Sequence, residues 1–211
     1  ALPARLFKDI SGKTVIDLCA APGGKTAQLA AIGAEVIALD RSKARLKRLE
    51  ENLQRLNLSA RIVQADATGW KTEEQVDAVL LDAPCSSTGT IRRHPDVAWL
   101  KSADDVRKLA DLQARLLDAT IPLLKSGGTL VYSTCSLEPE EGEKQIEAFL
   151  KRHPDLKRDP VEAAEIGNLA DCINSAGEIR CLPSHLQSEE LGDLGGMDGF
   201  FACRLIKQSA A

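Results

Sequence analysis

Thr14-Val15-Ile16-Asp17-Leu18-Cys19-Ala20-Ala21-Pro22-Gly23-Gly24-Lys25-Thr26 is the stretch on which the fold turns. Thr14 to Leu18 is short, apolar and β-branched, which predicts a buried strand. Two glycines follow at once, and the pattern after them predicts a helix to about Ala31. Gly24-Lys25-Thr26 matches the tail of a phosphate-binding P-loop, but the first glycine that loop needs would stand at position 19, which is Cys. The dinucleotide fingerprint G-x-G-x-x-G is absent too, so a nucleotide triphosphatase and a nicotinamide dehydrogenase are both disfavoured. What remains is a strand–loop–helix in which glycine lets the backbone approach a ligand lying over it.

Downstream the same alternation repeats. Glu35 to Leu39 predicts a second strand ending in Asp40. Ser42 caps a helix to about Leu56 with Leu46, Leu49, Leu53 and Leu56 on one face. Ala60 to Ala65 predicts a third strand ending at Asp66, and Val76 to Leu81 a fourth ending at Asp82. A long helix is expected from about Ala103 to Leu124, bent near Pro122 and stopped by Gly127-Gly128. Thr129 to Ser133 is a fifth strand. Pro139 to Arg152 reads as a helix whose acids Glu140, Glu141 and Glu143 favour its positive end. Residues 154–196 are expected to be irregular, with a weak strand near Ile179 to Leu182, and Gly199 to Ile206 closes the sheet. Strands alternating with helices imply an α/β fold: a mostly parallel, twisted sheet with helices on both faces.

In such a sheet, ligands sit beyond the carboxyl ends of the strands. Cys19, Asp40, Asp66, Asp82 with Cys85, and Cys135 all fall at or just past such an end. Asp40 is placed to accept hydrogen bonds from ribose hydroxyls. Asp66 either accepts a bond from an adenine amino group or forms a turn with Ala67-Thr68-Gly69. Asp82-Ala83-Pro84-Cys85 carries a thiol where amino-methylating enzymes carry an aromatic residue for stacking the base. A second thiol, Cys135 in Ser133-Thr134-Cys135-Ser136, occupies the matching place on the next strand. One thiol can add to an electron-poor ring carbon while the other helps break the bond. A thiol near its reference pKa of ~8.5 is mostly protonated at neutrality, so the nucleophile needs help, and Lys25 is the candidate charge.

Composition bounds the rest. The chain of 211 residues is 44% hydrophobic and 27% charged, which suits an ordinary globular core. Its net charge of −4 argues against tight grip on nucleic acid by phosphate neutralisation alone. No apolar run approaches the ~20 residues of a membrane helix. The six cysteines include no C-x-x-C pair, so a zinc cage is not expected and a reducing cytoplasm is the easier home. The chain begins at Ala1 and is expected to be a piece of a longer protein, residues 1–211 forming one domain.

These motifs resemble the RNA 5-methylcytosine methyltransferases of the Sun/Fmu/RsmB family. The resemblance is carried by Asp17 to Thr26, Asp82-Ala83-Pro84-Cys85-Ser86, Arg92-Arg93-His94-Pro95-Asp96, Ser133-Thr134-Cys135-Ser136 and Met197-Asp198-Gly199-Phe200-Phe201. It runs from about residue 14 to 206 and looks closest to the RsmB branch, which modifies a cytosine in 16S ribosomal RNA. It implies a Rossmann-like class I methyltransferase domain with an antiparallel C-terminal strand, preceded in the family by an RNA-binding domain. S-adenosylmethionine is then expected along Cys19, Ala20, Ala21, Pro22, Gly23, Gly24 and Lys25, with its ribose on Asp40, its adenosine end near Asp66, and Asp82 close by. Cys135 would attack cytosine C6, Cys85 would assist release, and Asp82 and Lys25 would touch the base or reacting centre. To serve N3, Asp82 needs a polar, partly desolvated setting that raises its pKa. Arg92, Arg93 and His94 are candidates for RNA contact. No metal is expected, and the chain is expected to act as a cytoplasmic monomer. A tRNA substrate, or a non-catalytic cofactor- and RNA-binding module, are the alternatives.

Overall fold

The computed structural model describes residues 1–187 and 195–209. In chain order it contains α1 (Leu2–Arg5), β1 (Thr14–Leu18), α2 (Gly24–Ala31), β2 (Glu35–Asp40), α3 (Lys43–Arg55), β3 (Arg61–Gln64) and β4 (Val76–Asp82). Then follow α4 (Val97–Leu100), α5 (Ala103–Thr120), β5 (Leu124–Thr134), α6 (Glu143–Arg152), β6 (Leu156–Arg158), β7 (Ile179–Cys181) and β8 (Phe200–Lys207). The strands form one sheet in the order β3-β2-β1-β4-β5-β8-β6, with β7 also paired to β8. β1 to β5 are mutually parallel, while β8 runs antiparallel between β5 on one edge and β6 and β7 on the other. The predicted architecture is therefore the observed one.

Successive strand residues point to opposite faces, and the core divides accordingly. Ile16, Leu18, Val79, Leu81 and Tyr132 join Leu116, Leu117, Ile146 and Phe149 of α5 and α6 on one face. Val15, Ala78, Leu80 and Val131 meet Ala4 and Leu29 of α1 and α2 on the other. Leu46, Leu49 and Leu53 of α3 pack with Ala38 and the glycine loop, whereas Leu56 is 45% exposed and leaves that stripe.

Two boundaries differ from expectation. The helix predicted to reach Leu124 ends at Thr120, Pro122 sits in a single 3-10 turn, and β5 begins at Leu124 rather than Thr129. Proline has no amide hydrogen to continue the helix. Gly127, at φ 77°, lets the strand run on with a register jump between the Val76–Leu124 and Ala78–Thr129 pairs. The helix predicted from Pro139 is instead a turn, Pro139–Glu141, separated by Gly142 from α6. Glu141 does not serve a helix end there; it is buried. Within the stretch expected to be irregular, β6 is an added strand, β7 matches the weak one, and residues 188–194 lie outside the described residues. Among the described residues no helix is long and apolar enough to cross a membrane.

Candidate active site

Cys19 follows β1 with φ 62° and turns the chain into the loop that leads to Gly23, at φ 98°. A Cβ on Gly23 would approach Leu49 Cγ to 2.8 Å, so α3 packs directly under the loop, while the space beside Gly24 is open. The loop is held from below. Asp40, 2% exposed at the end of β2, accepts the Ala21 N–H at 3.2 Å and the Ser42 N–H at 2.9 Å. Arg45 donates to the Ala21 carbonyl, and Asn52 to that of Pro22 at 3.0 Å. Above it opens a cavity of about 460 Å³ lined by Asp17, Cys19, Gly24, Lys25, Gln28 and Asp82 together with Ala20 to Pro22.

Asp17 and Gln28 line this cavity and were passed over by sequence reasoning. Asp17 is fully buried, accepts the Thr26 hydroxyl at 2.6 Å through Oδ2, and among the described residues has no protein partner for Oδ1. Burial pushes its carboxyl up to about 7. The only signal was an acid inside an otherwise apolar strand. Cys19 beside it is pushed up to about 12, first by burial and then by Asp40, so it remains a thiol. Asp66, in contrast, is exposed and folds back on its own turn, accepting the Thr68 amide at 2.9 Å and hydroxyl at 2.7 Å. Those bonds hold its carboxyl below the usual range.

β4 and β5 are neighbours in register, Asp82 opposite Ser133, so the loops beyond them leave the sheet side by side. This brings the Sγ atoms of Cys85 and Cys135 to 3.4 Å. Both are free thiols. Cys135 falls to about 6, chiefly because Cys85 hydrogen-bonds to its sulfur; Ser87 adds a second bond, and burial and Asp82 oppose. The Cys85 thiol is pushed far up by that same bond and by burial, so one proton is held by Cys85 while Cys135 carries the charge. Ser87 Oγ lies 3.5 Å from Cys135 Sγ, and its own backbone is left-handed at φ 62°. No local signal in the sequence marks Ser87 as a partner of Cys135.

Lys25 is in the same cleft but does not supply the charge expected of it. Its ammonium is 2.6 Å from Asp82 Oδ2, paired with that carboxyl rather than with the thiolate. Asp82 also accepts the Ser133 hydroxyl at 2.7 Å and is about one third exposed.

The cysteine loops are tied to the closing motif. Gly89 N–H donates to the Cys135 carbonyl at 3.0 Å, and Gly199 N–H to the Gly89 carbonyl at 2.8 Å. Arg93 spans the gap with a bidentate bond to Asp198, its Nε at 2.8 and 3.0 Å from the two oxygens. Arg92 and His94 are exposed, and so is Trp99 in α4, at 90%.

A sheet of this order, with its ligand loop after β1 and a reactive pair past β4 and β5, defines a Rossmann-like class I methyltransferase. The fold agrees: NodS N-methyltransferase from Bradyrhizobium japonicum, solved with S-adenosyl-L-homocysteine, superposes over 93% of this chain at TM-score 0.55 with 14% identity. The chain belongs to the 16S rRNA methyltransferase RsmB/F family, whose model matches residues 5–206. It is 44% identical over 208 residues to the ribosomal RNA small subunit methyltransferase B of Photorhabdus laumondii, covering 96% of this chain and 44% of that one. The Vibrio cholerae protein of that name is 45% identical over 94% of this chain and 42% of its own length. The chain thus spans less than half the length of these relatives. Among solved structures, NSun6 from Pyrococcus horikoshii with SFG matches at TM-score 0.82 and 30% identity, covering 99% of this chain and 51% of that one.

Proposed function

We propose that this chain is the catalytic part of an S-adenosylmethionine-dependent RNA cytosine-C5 methyltransferase acting on 16S ribosomal RNA in the cytoplasm. The observation that carries this reading is the 3.4 Å approach of two free thiols beside the Asp82–Lys25 pair. The substrate comes from the relatives, whose shared description names the small-subunit ribosomal RNA.

The residues at the loop fit the methyl donor. A cavity of about 460 Å³ is of the size small molecules occupy, roughly 300–1,000 Å³. Asp17 Oδ1 is an orphaned acceptor suited to a cationic group, and the open side of Gly24 leaves backbone within reach. Asp40 under the loop would take the ribose, each oxygen keeping a lone pair beyond its amide bond, and Asp66 would stand at the adenosine end. When bound, the cofactor supplies an electrophilic methyl group on a sulfonium.

The chain's own residues make cytosine able to accept it. Cys135 adds as thiolate to C6, the ring electrons move to N3, and the Asp82–Lys25 pair holds the proton that N3 takes up. C5 is then enamine-like and nucleophilic. Once Cys135 is a thioether, the neighbouring thiolate that kept Cys85 protonated is gone, leaving burial as the main opposition to its ionisation. Cys85 then passes its proton to solvent water and, as thiolate, takes the one on C5. The C5–H electrons restore the C5–C6 double bond, the C6–S bond breaks with its pair returning to Cys135, and N3 returns its proton to the Asp82–Lys25 pair. The base must be unstacked to enter. Arg92 and His94 would contact the flanking nucleotides, while Arg93 braces their loop through Asp198.

Nucleoside mass spectrometry of ribosomal RNA treated with the complete protein tests this. 5-Methylcytosine is expected. Cys135→Ala abolishes it, and Cys85→Ala leaves a protein–RNA adduct that survives denaturation. An amino-methylated base, or product in tRNA but not ribosomal RNA, would overturn the reading.

A further inference from the structure

A carboxyl group lies behind the two thiols that the reaction just described does not use. Glu141 is fully buried in the turn ahead of α6. Its Oε1 accepts the Ser86 N–H at 2.9 Å and Gln113 Nε2 at 3.0 Å. Its Oε2 accepts the Ser136 hydroxyl at 2.5 Å and also that of Ser86. Ser86 and Ser136 are the residues immediately after Cys85 and Cys135, and their hydroxyls are 3.1 Å apart. The turn that carries Glu141 is itself anchored, its carbonyl accepting the Tyr132 hydroxyl at 2.8 Å. Gln113, from α5, also donates to the Pro84 carbonyl at 2.9 Å.

A buried carboxyl is costly unless its acceptors are filled. A single loop could have filled them. Here the donors come from both cysteine loops and from the helix packed behind, so neither loop can shift without breaking a bond to the other's partner. We propose that Glu141 is a positioning residue that clamps Ser86 and Ser136 together and thereby sets the separation of the Cys85 and Cys135 sulfurs. This rests on the two-thiol reading above. Attack at one sulfur and release through the other both need that separation, because a sulfur hydrogen bond weakens steeply once the atoms part.

The other charged groups near the pair are engaged with partners of their own. They are Asp82 with Lys25, Arg93 with Asp198, and Arg180, which pairs with Glu143 at 2.5 Å and donates to the Ser136 carbonyl at 2.7 Å.

The test is the alkylation rate of Cys135 against pH in the complete protein, followed by peptide mass spectrometry, with steady-state methylation alongside. In the parent the midpoint is expected at about 6. Glu141→Ala should move it up by about a unit or more, towards the ~8.5 of a free thiol. It should also cut kcat by about 10²-fold, as an ångström-scale misplacement does, with the KM for the methyl donor unchanged. Glu141→Gln keeps the shape and an acceptor for the Ser86 amide and should keep the midpoint. Should Glu141→Ala fail to fold, the double variant Ser86→Ala, Ser136→Ala removes the hydroxyl donors and should give the same upward shift. An unmoved midpoint in Glu141→Ala, or in the double variant where that is the one that folds, overturns the clamp, as does a Glu141→Gln shift as large as that of Glu141→Ala. A parent Cys135 with an ordinary midpoint would instead sink the two-thiol chemistry itself, so the two failures are distinguishable.

Discussion

Asp17 shows how much a single buried oxygen can tie together stability and ligand binding. With Oδ1 unpartnered and burial disfavouring its charge, the native protein holds a proton on it up to about pH 7. The unfolded chain loses that proton near 3.8. Below 3.8 the group is neutral in both states. Between 3.8 and about 7 only the folded state keeps the proton, so the group's contribution to stability declines as pH rises through that window and is then spent. A shift of this size corresponds to at most about 4 kcal/mol at one unit per 1.36 kcal/mol. Denaturant unfolding of the ligand-free chain at pH 5 and pH 8 should show a decline that Asp17→Asn largely removes. An equal decline in that variant would mean another group is responsible. The acid itself was visible in the sequence, but its missing partner was not. An unmatched oxygen exists only once neighbouring strands and Thr26 have taken their places.

At the scale of elements, the 3-10 turn Thr88–Thr90 matters more than its length suggests. Gly89 is pressed between two backbones: an added Cβ would run into the Gly199 carbonyl and come within 2.9 Å of the Cys135 carbonyl oxygen. Neither neighbour is a flexible side-chain end that can swing aside. Gly89→Ala should therefore cost about 1–3 kcal/mol, the usual range for overpacking. It should depress methylation further than that loss explains, because the Cys135 carbonyl is among the groups that must shift. Denaturation midpoints and turnover measured together would show it, and a stable, fully active variant would refute it. α3 was legible in detail because capping by Ser42 and the Leu46, Leu49, Leu53 stripe are local signals. The α5–β5 junction was misjudged because Leu123 and Leu124 fit a helix stripe as well as a strand start. Pairing with Val76 decided between them.

For the molecule as a whole, charge sets what RNA binding can look like. With a net charge of −4, the phosphate contacts proposed for this chain are few and fall on the exposed Arg92 and His94. Each contact to single-stranded RNA contributes about −0.7 to the slope of log affinity against log salt. Arg92→Ala should reduce the steepness of that slope by about 0.7 while leaving methyl-donor affinity unchanged, as binding titrations at several salt concentrations would show. An unchanged slope would remove Arg92 from the interface.

The linear order of residues alone determined the parallel sheet, the glycine loop after its first strand, and the delivery of acids and thiols to one edge. Those follow from period-two and period-3.6 patterning and from where loops leave a parallel sheet. Only the tertiary structure decided that sulfurs fifty residues apart stand at 3.4 Å, that Cys85 rather than Lys25 steadies the thiolate, and that Glu141 turns inward between both loops. Proton affinities and clamps of this kind depend on desolvation and on partners distant along the chain, which no local pattern encodes.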